Sequence, residues 1–438
     1  MTQSMSLHRL LKSSLRCLTL LGLAISWATH ANPLWIRAGK VIDVERGRVL
    51  SDQMIRIDGE RIVSVGDYKA DANAGGQWLD WSRYTVLPGL MDMHTHLADF
   101  ITSAEVAAPL YTSAADAALQ GVDNARRTLR AGFTTVRDVG CYRAFTDVAL
   151  RNAINRGIID GPRMFVVGAY ITVSGGGGEV TGFAPDVVVP VEMRRGVANS
   201  ELEIRQRVRE LISGGATFIK VIATGAVLTA GTTPGAAEYS ESEIHAAVDE
   251  AAQYGIFVAA HAHGAEGIKR AVRAGVRSIE HASYLDDEGI ALMKKQGTWL
   301  VADIYNGDYI AETGRRDHWS EEILRKNDET TQTQRDGFAK AVKAGVRIAF
   351  GTDSGVYPHG DNARQFAYMV RYGLTPMQAI RAATLNSAQL LAQEKDLGSI
   401  ATGKFADLIA VEGDPLADID KLRQIRGVVK AGRQIRLD

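Results

Sequence analysis

Pro88-Gly89-Leu90-Met91-Asp92-Met93-His94-Thr95-His96 is the stretch on which the fold turns. Residues two apart on a strand point to the same face, so a buried strand ending in this His-x-His sends both imidazoles one way and Thr95 the other. Both rings can then reach one ion; the alternative is a pair of hydrogen-bonded core histidines. What decides between these readings is the company the stretch keeps further along the chain.

Thr217-Phe218-Ile219-Lys220-Val221-Ile222-Ala223-Thr224 places a lysine inside an apolar, β-branched run. Lysine is rarely buried without a partner, and a solvated strand edge would not surround it with such neighbours. Desolvation and nearby cations would drive its amine neutral, and a neutral amine can add carbon dioxide to give a carbamate able to bridge two ions. A lysine snorkelling from the strand's end is the plain alternative. Ile256-Phe257-Val258-Ala259-Ala260-His261-Ala262-His263-Gly264 ends a second strand in His-x-His. His261, deeper in the strand, is the expected ligand, with His263 one pleat outward towards substrate; the reverse assignment stays open. His281 closes the short run Val276–His281, where a lone histidine could equally be a satisfied core residue. Asp353, in Gly351-Thr352-Asp353-Ser354-Gly355, ends the last such strand, where it could also cap a helix. Together, His94, His96, Lys220, His261, His281 and Asp353 read as the ligand set of a two-metal hydrolytic site.

Between these ligands the chain alternates strand and helix, the pattern of a parallel α/β architecture. Eight strands are expected near Val86–Met93, Thr134–Asp138, Met164–Tyr170, Phe218–Ala223, Phe257–His261, Ser278–His281, Trp299–Ile304 and Arg347–Thr352, which predicts a (β/α)8 TIM barrel over residues 88–392. Ser240 and Glu243 form an N-cap signature ahead of the periodic Ile244, Val248 and Ala252. Gly132, Gly255, Gly275 and Gly345 end helices just before strands. Outside the barrel, residues 32–87 and 393–438 read as short strands, with a hairpin turn at Asp58-Gly59, that combine into a small β-sandwich domain formed by both chain ends.

The 438 residues, 46% of them hydrophobic, can bury a large core, and the net charge of -1 gives no electrostatic case for nucleic acid or an anionic membrane. Arg9, Lys12 and Arg16 precede an apolar run over Cys17–Ala28, with Ala31 before Asn32-Pro33, so residues 1–31 read as a secretory signal peptide. Export to the periplasm or medium is the expectation, with a retained anchor as the alternative. Cleavage would leave Cys141 as the only cysteine and no intrachain disulfide.

Pro88–His96, Ala131–Asp138, Pro358–Ala363 and Gly398–Leu408 carry a resemblance: the chain is similar to the amidohydrolase superfamily, in the branch of imidazolonepropionase-like proteins, Xaa-Pro dipeptidases and ochratoxin-hydrolysing amidohydrolases. The resemblance implies two divalent metal ions, zinc foremost, one held by His94 and His96 and the other by His261 and His281. A carboxylated Lys220 would bridge them, and Asp353 would bind the first ion and shuttle the proton while a metal-bridging hydroxide attacks the amide carbonyl. The implied activity is cleavage of dipeptides or N-acyl amino acids, ochratoxin A included, by a homo-oligomer acting on small molecules. Relatives often carry Gly-Gly-His-Gly after the third strand, whereas Ser174-Gly175-Gly176-Gly177-Gly178 has glycine at the histidine, leaving either a flexible loop or an anion nest. His263, His359 and Tyr170 are the candidates for substrate binding. A cyclic-amide hydrolase of imidazolonepropionase type or a one-metal deaminase is the alternative, but a buried Lys220 has no evident role beside a single ion. A non-catalytic binder would be expected to lack some of the six residues, and a surface-anchored interaction protein would keep its N-terminus.

Overall fold

The computed structural model describes residues 32–69, 75–99 and 107–437; residues 1–31, read above as a signal peptide, lie outside these. Four strands, β1 (Leu34–Asp43), β2 (Arg48–Asp58), β3 (Arg61–Asp67) and β4 (Gln77–Pro88), lead into β5 (Leu90–Thr95). The sequence suggested one strand over Val86–Met93. The structure divides it at Gly89, because the hydrogen-bonding partner changes there: the Gly89 N–H donates to the Asp407 carbonyl, and the Leu90 N–H to that of Gly132.

Eight parallel strands follow the expected order. β5 pairs with β6 (Phe133–Asp138) and β6 with β7 (Arg163–Val166), while β8 (Ile219–Ile222), β9 (Val258–Ala262), β10 (Ser278–His281), β11 (Trp299–Val301) and β12 (Arg347–Ile348) form a second sheet in sequence order. Hydrogen bonds join the two sheets at both seams. At one, Ile171 donates to the Lys220 carbonyl and Ile222 to that of Ile171; at the other, Met93 donates to Phe350 and Asp353 to His94. β5, β6, β8, β9, β10 and β11 are buried along their whole length, as parallel strands covered on both faces must be. Helices such as Ala114–Arg130, Glu241–Ala252 and Glu321–Ala344 lie between the strands. Ser240 and Glu243 make the anticipated capping box, and Gly275 and Gly345 are left-handed helix C-caps.

Three strands are shorter than expected: β7 ends at Val166, β11 at Val301 and β12 at Ile348. Beyond those points the apolar pattern continues but the ladder does not. Phe350, for instance, donates to the Ala382 carbonyl instead. An apolar run reports burial, and beyond these points the residues stay buried while regular ladders give way to single bonds, such as that from the Ala349 N–H to the Leu300 carbonyl.

β13 (Leu408–Glu412), β14 (Ile425–Lys430) and β15 (Arg433–Ile435) complete a seven-stranded sheet in the order β15-β14-β13-β4-β1-β2-β3, so both chain ends share one sheet. Its core includes Ile36, Ile55, Trp81, Leu408 and Val429. The far edge turns back on the segment before β13: Ile62 donates to the Lys404 carbonyl and Ala406 to that of Glu60. Gly432, between β14 and β15, sits where this closure is tightest. Its φ is +73° and an added Cβ would stand 1.9 Å from the Gly59 carbonyl oxygen. Gly432→Ala is therefore expected to lower unfolding stability by about 2–4 kcal/mol, read as a lower urea midpoint at unchanged slope.

Candidate active site

All six predicted ligands line one cavity of about 120 Å³, together with His263 and Tyr170. His94 comes from β5 and His96 from just beyond it, Lys220 from β8, His261 from β9, His281 from the end of β10 and Asp353 from the turn after β12. Carboxylate and imidazole atoms fall into three close groups: His94, His96 and Asp353; His261, His263 and His281; and His281, Asp303 and Asp353.

The outer nitrogens of the histidines are already committed. His94 Nδ1 lies 3.0 Å from Glu280 Oε2, His96 Nδ1 2.7 Å from the Gly140 carbonyl and His281 Nδ1 3.0 Å from Asp303 Oδ1. Carbonyls and carboxylates only accept, so each Nδ1 carries a proton, and in the neutral ring that a metal ligand requires each Nε2 keeps a lone pair. The Nε2 atoms of His94 and His96 then face Asp353 Oδ1 at 3.4 and 3.2 Å. Two lone pairs opposed to a carboxylate oxygen repel one another, and a cation between them turns the repulsion into ligation. By this criterion the donor set fits a divalent metal. His261 differs, with Nε2 3.3 Å from the Gly225 carbonyl, which leaves its Nδ1 available. Burial and the neighbouring His281 and His263 push the His261 pKa well down, which keeps its imidazole neutral as a ligand must be.

Lys220 is 2% exposed, and among the described residues no hydrogen bond or ion pair holds its ammonium. Burial is the chief cause that lowers its pKa to about 8, with Glu280 opposing and Arg137 assisting. A buried amine that loses its proton this readily, in the same cavity as five imidazole and carboxylate donors, suits carbamate formation.

His281 and Asp353 have φ of +66° and +59°, a conformation rarely adopted by non-glycine residues. At His281 the consequence is visible. Neighbours on a regular strand face opposite ways, yet Glu280 hydrogen-bonds His94 while the His281 ring packs 4.7 Å from that of His94. Strict alternation hid Glu280 from the sequence reading. Its partner Arg137 is wholly buried as well, donating through Nε to the Met93 carbonyl, through Nη1 to Ser278 and through Nη2 to Glu280 Oε1 at 2.6 Å. Although burial would raise the Glu280 pKa, Arg137 and His94 hold it far below the usual carboxylate range. Glu280→Gln is expected to weaken metal binding about 10- to 100-fold, measured by metal titration, and to cost about 3–5 kcal/mol of stability by leaving Arg137 unpaired.

Asp303 and Asn306 are further residues that no local pattern announced. The Asn306 amide donates to Asp303 Oδ2 and Asp353 Oδ2, each at 3.1 Å, and Gln334 donates to Asp303 Oδ1 at 2.7 Å. Of the substrate-binding candidates, His263 stacks on His281 at 4.8 Å and keeps Nδ1 2.7 Å from Ser283 Oγ. Burial lowers its pKa to about 3. Tyr170 forms part of the wall. His359 is absent from the cavity lining: it is buried with Nδ1 3.5 Å from Thr128 Oγ1 and its Nε2 without a partner. Cys141 is buried and free.

A metal-suited cluster at one end of a parallel α/β array defines a class, and the Amidohydrolase family model matches residues 85–435, so the chain belongs to the amidohydrolase family and is a hydrolytic enzyme. Ochratoxinase of Aspergillus niger is 32% identical over 431 residues, 93% of this chain and 86% of that enzyme. A Xaa-Pro dipeptidase crystallised with methionine in its active site superposes with a TM-score of 0.87 at 40% identity, over 92% of this chain and 100% of the other. A prolidase complexed with N-methylphosphonate-L-proline gives 0.85 at 31% identity, over 92% and 99%.

Proposed function

We propose that this protein is a binuclear metal-dependent amidase that cleaves dipeptides or N-acyl amino acids, with ochratoxin A among its substrates. The observation that carries this reading is Lys220, buried, unpaired and easily neutralised among the histidine and aspartate donors. The chain's likeness to an ochratoxinase and to a Xaa-Pro dipeptidase supports the substrate class. The eight parallel strands are taken as a (β/α)8 barrel over residues 88–392, and the curled seven-stranded sheet as a β-sandwich built from residues 32–87 and 393–438. The N-terminal pattern of a basic segment followed by an apolar run supports cleavage after residue 31 and export as parts of the same proposal.

His94, His96 and Asp353 would hold one ion, His261 and His281 the other, with the Lys220 carbamate between them; zinc suits this donor set. Divalent ions, when bound, supply Lewis acidity to the scissile carbonyl and lower the pKa of the attacking water. Asp353 would hold the proton taken from the attacking water and deliver it to the leaving nitrogen. Asn306 fixes the Asp353 carboxylate through one oxygen so that the other stays on the side of His94 and His96. Glu280 and Asp303 fix the rings of His94 and His281. On this reading Asp353 and Lys220 would be the catalytic pair, with His263, which lines the same cavity, contacting substrate.

The test is release of free amino acid from a panel of dipeptides, N-acyl amino acids and ochratoxin A by protein loaded with zinc and bicarbonate. Cleavage that disappears on chelation and returns with zinc is the expected result. Metal-loaded protein that releases amino acid from none of them overturns the proposal and directs attention to cyclic amides.

A further inference from the structure

Beyond the ligand cluster, two tyrosines form part of the cavity wall: Tyr142 and Tyr170, ring centroids 6.2 Å apart and near perpendicular at 78°. The Tyr170 ring lies in a slot that exists because two residues lack a side chain. A Cβ at Gly140 would fall 2.2 Å from Tyr170 Cδ1 and one at Gly178 2.7 Å from Cε2, and both glycines have positive φ. A third glycine, Gly196, lets the backbone approach the Tyr170 carbonyl oxygen, which an added Cβ would meet at 1.8 Å. Gly178 closes the run 174–178, so that run serves here to seat an aromatic ring. Tyr142 is fixed from its own backbone, whose N–H donates to Asp99 at 3.0 Å. Burial raises the pKa of both phenols, which stay protonated throughout the neutral range, and the two hydroxyls share a hydrogen bond in which Tyr170 donates to Tyr142, so the Tyr142 O–H is the one left to donate to a ligand.

The rest of the wall is aliphatic or neutral, with Val227, Leu228, Ile310 and Val356 beside hydroxyls and carboxamides. Among the described residues lining the cavity, Lys220 is the one cation, and it belongs to the ligand cluster. Polar recognition of whatever the substrate carries beyond the cleaved bond therefore falls to neutral donors.

We propose that Tyr142, held by Tyr170, forms a second anchor for substrate, donating a hydrogen bond to an acceptor oxygen beyond the scissile bond, and that the enzyme consequently accepts amides ending in an uncharged carbonyl as well as those ending in carboxylate. This inference rests on the amidase reading of the same site. Neutral hydrogen bonds discriminate weakly between a carboxylate and a carboxamide, whereas a fixed guanidinium or ammonium would favour the charged ligand strongly.

The experiment pairs turnover of N-acyl-L-phenylalanine and N-acyl-L-phenylalaninamide with calorimetric binding of the products L-phenylalanine and L-phenylalaninamide to the metal-loaded enzyme. Expected are preferences of less than about ten-fold within each pair. Tyr142→Phe, Tyr170→Phe and Gly178→Ala should each weaken binding of both products by at least about five-fold, with melting temperature and metal content of the two phenylalanine variants unchanged. A carboxylate preference above that limit, no measurable product binding, or phenylalanine variants that bind like the parent protein would overturn the anchor while leaving any amide cleavage intact. Binding that depends on the two phenols, without turnover of either amide, would uphold the anchor and remove the amidase reading.

Discussion

Lys220→Ala is expected to lower kcat/KM on the best amide substrate by at least about 10³-fold while the protein stays folded, because it removes the anionic oxygens that would bridge the two ions. Three features of this residue set the expectation: 2% exposure, a pKa brought down to about 8 chiefly by burial, and no partner for its ammonium. A lysine kept only for packing would respond differently. Its truncation would leave a cavity and a loss of stability, with metal content and kcat nearly preserved. Circular dichroism and metal analysis separate the two outcomes. A small carboxylic acid added to the alanine variant can occupy the vacated volume and supply the missing oxygens, so partial rescue by formate or acetate is part of the expected result. A variant that retains both ions and more than about a tenth of the activity would remove Lys220 from the mechanism.

Asp353→Asn should reduce kcat by about 10² to 10⁴-fold with a smaller change in KM, since an isosteric amide can neither take up nor deliver the proton. The pH profile carries the sharper reading. If Asp353 is the proton carrier, the variant's residual activity loses the acidic limb that the parent enzyme shows as this carboxylate is protonated. Unchanged profiles of merely reduced height would point to a role in metal retention alone.

That the six candidate ligands converge on one cavity was legible from sequence because each sits on or just beyond a strand whose apolar run is continuous, and because a His-x-His on a period of two needs only local geometry. His263 and Tyr170 line the same cavity. Glu280, Asp303 and Asn306 were not legible, since their partners lie on other strands and no spacing along the chain connects Glu280 to His94 or Asn306 to Asp353. His359, a candidate from its loop motif, lies outside the lining of the cavity that holds the other candidates. Strand ends were overextended where burial continued after pairing had stopped, as in the residues after Val166 and Val301. The shared terminal sheet was readable as β-structure from both ends, but the contact between β4 and β13 comes from tertiary geometry alone.

That shared sheet bears on how the chain is made. β4 emerges early during translation with β1 along one edge, whereas the strand that covers its other edge, β13, is produced only after every residue of the active site. Until then Val86 and Leu87 stand on an open edge, which is sticky and easily mistaken for a pairing site by other chains. The last strands therefore act as a clasp: a ribosome that stalls before residue 408 releases a polypeptide with all of its catalytic residues but an uncovered edge. Such a product is marked for aggregation or for capture by chaperones, and supplying residues 393–437 as a separate peptide is the direct way to close it.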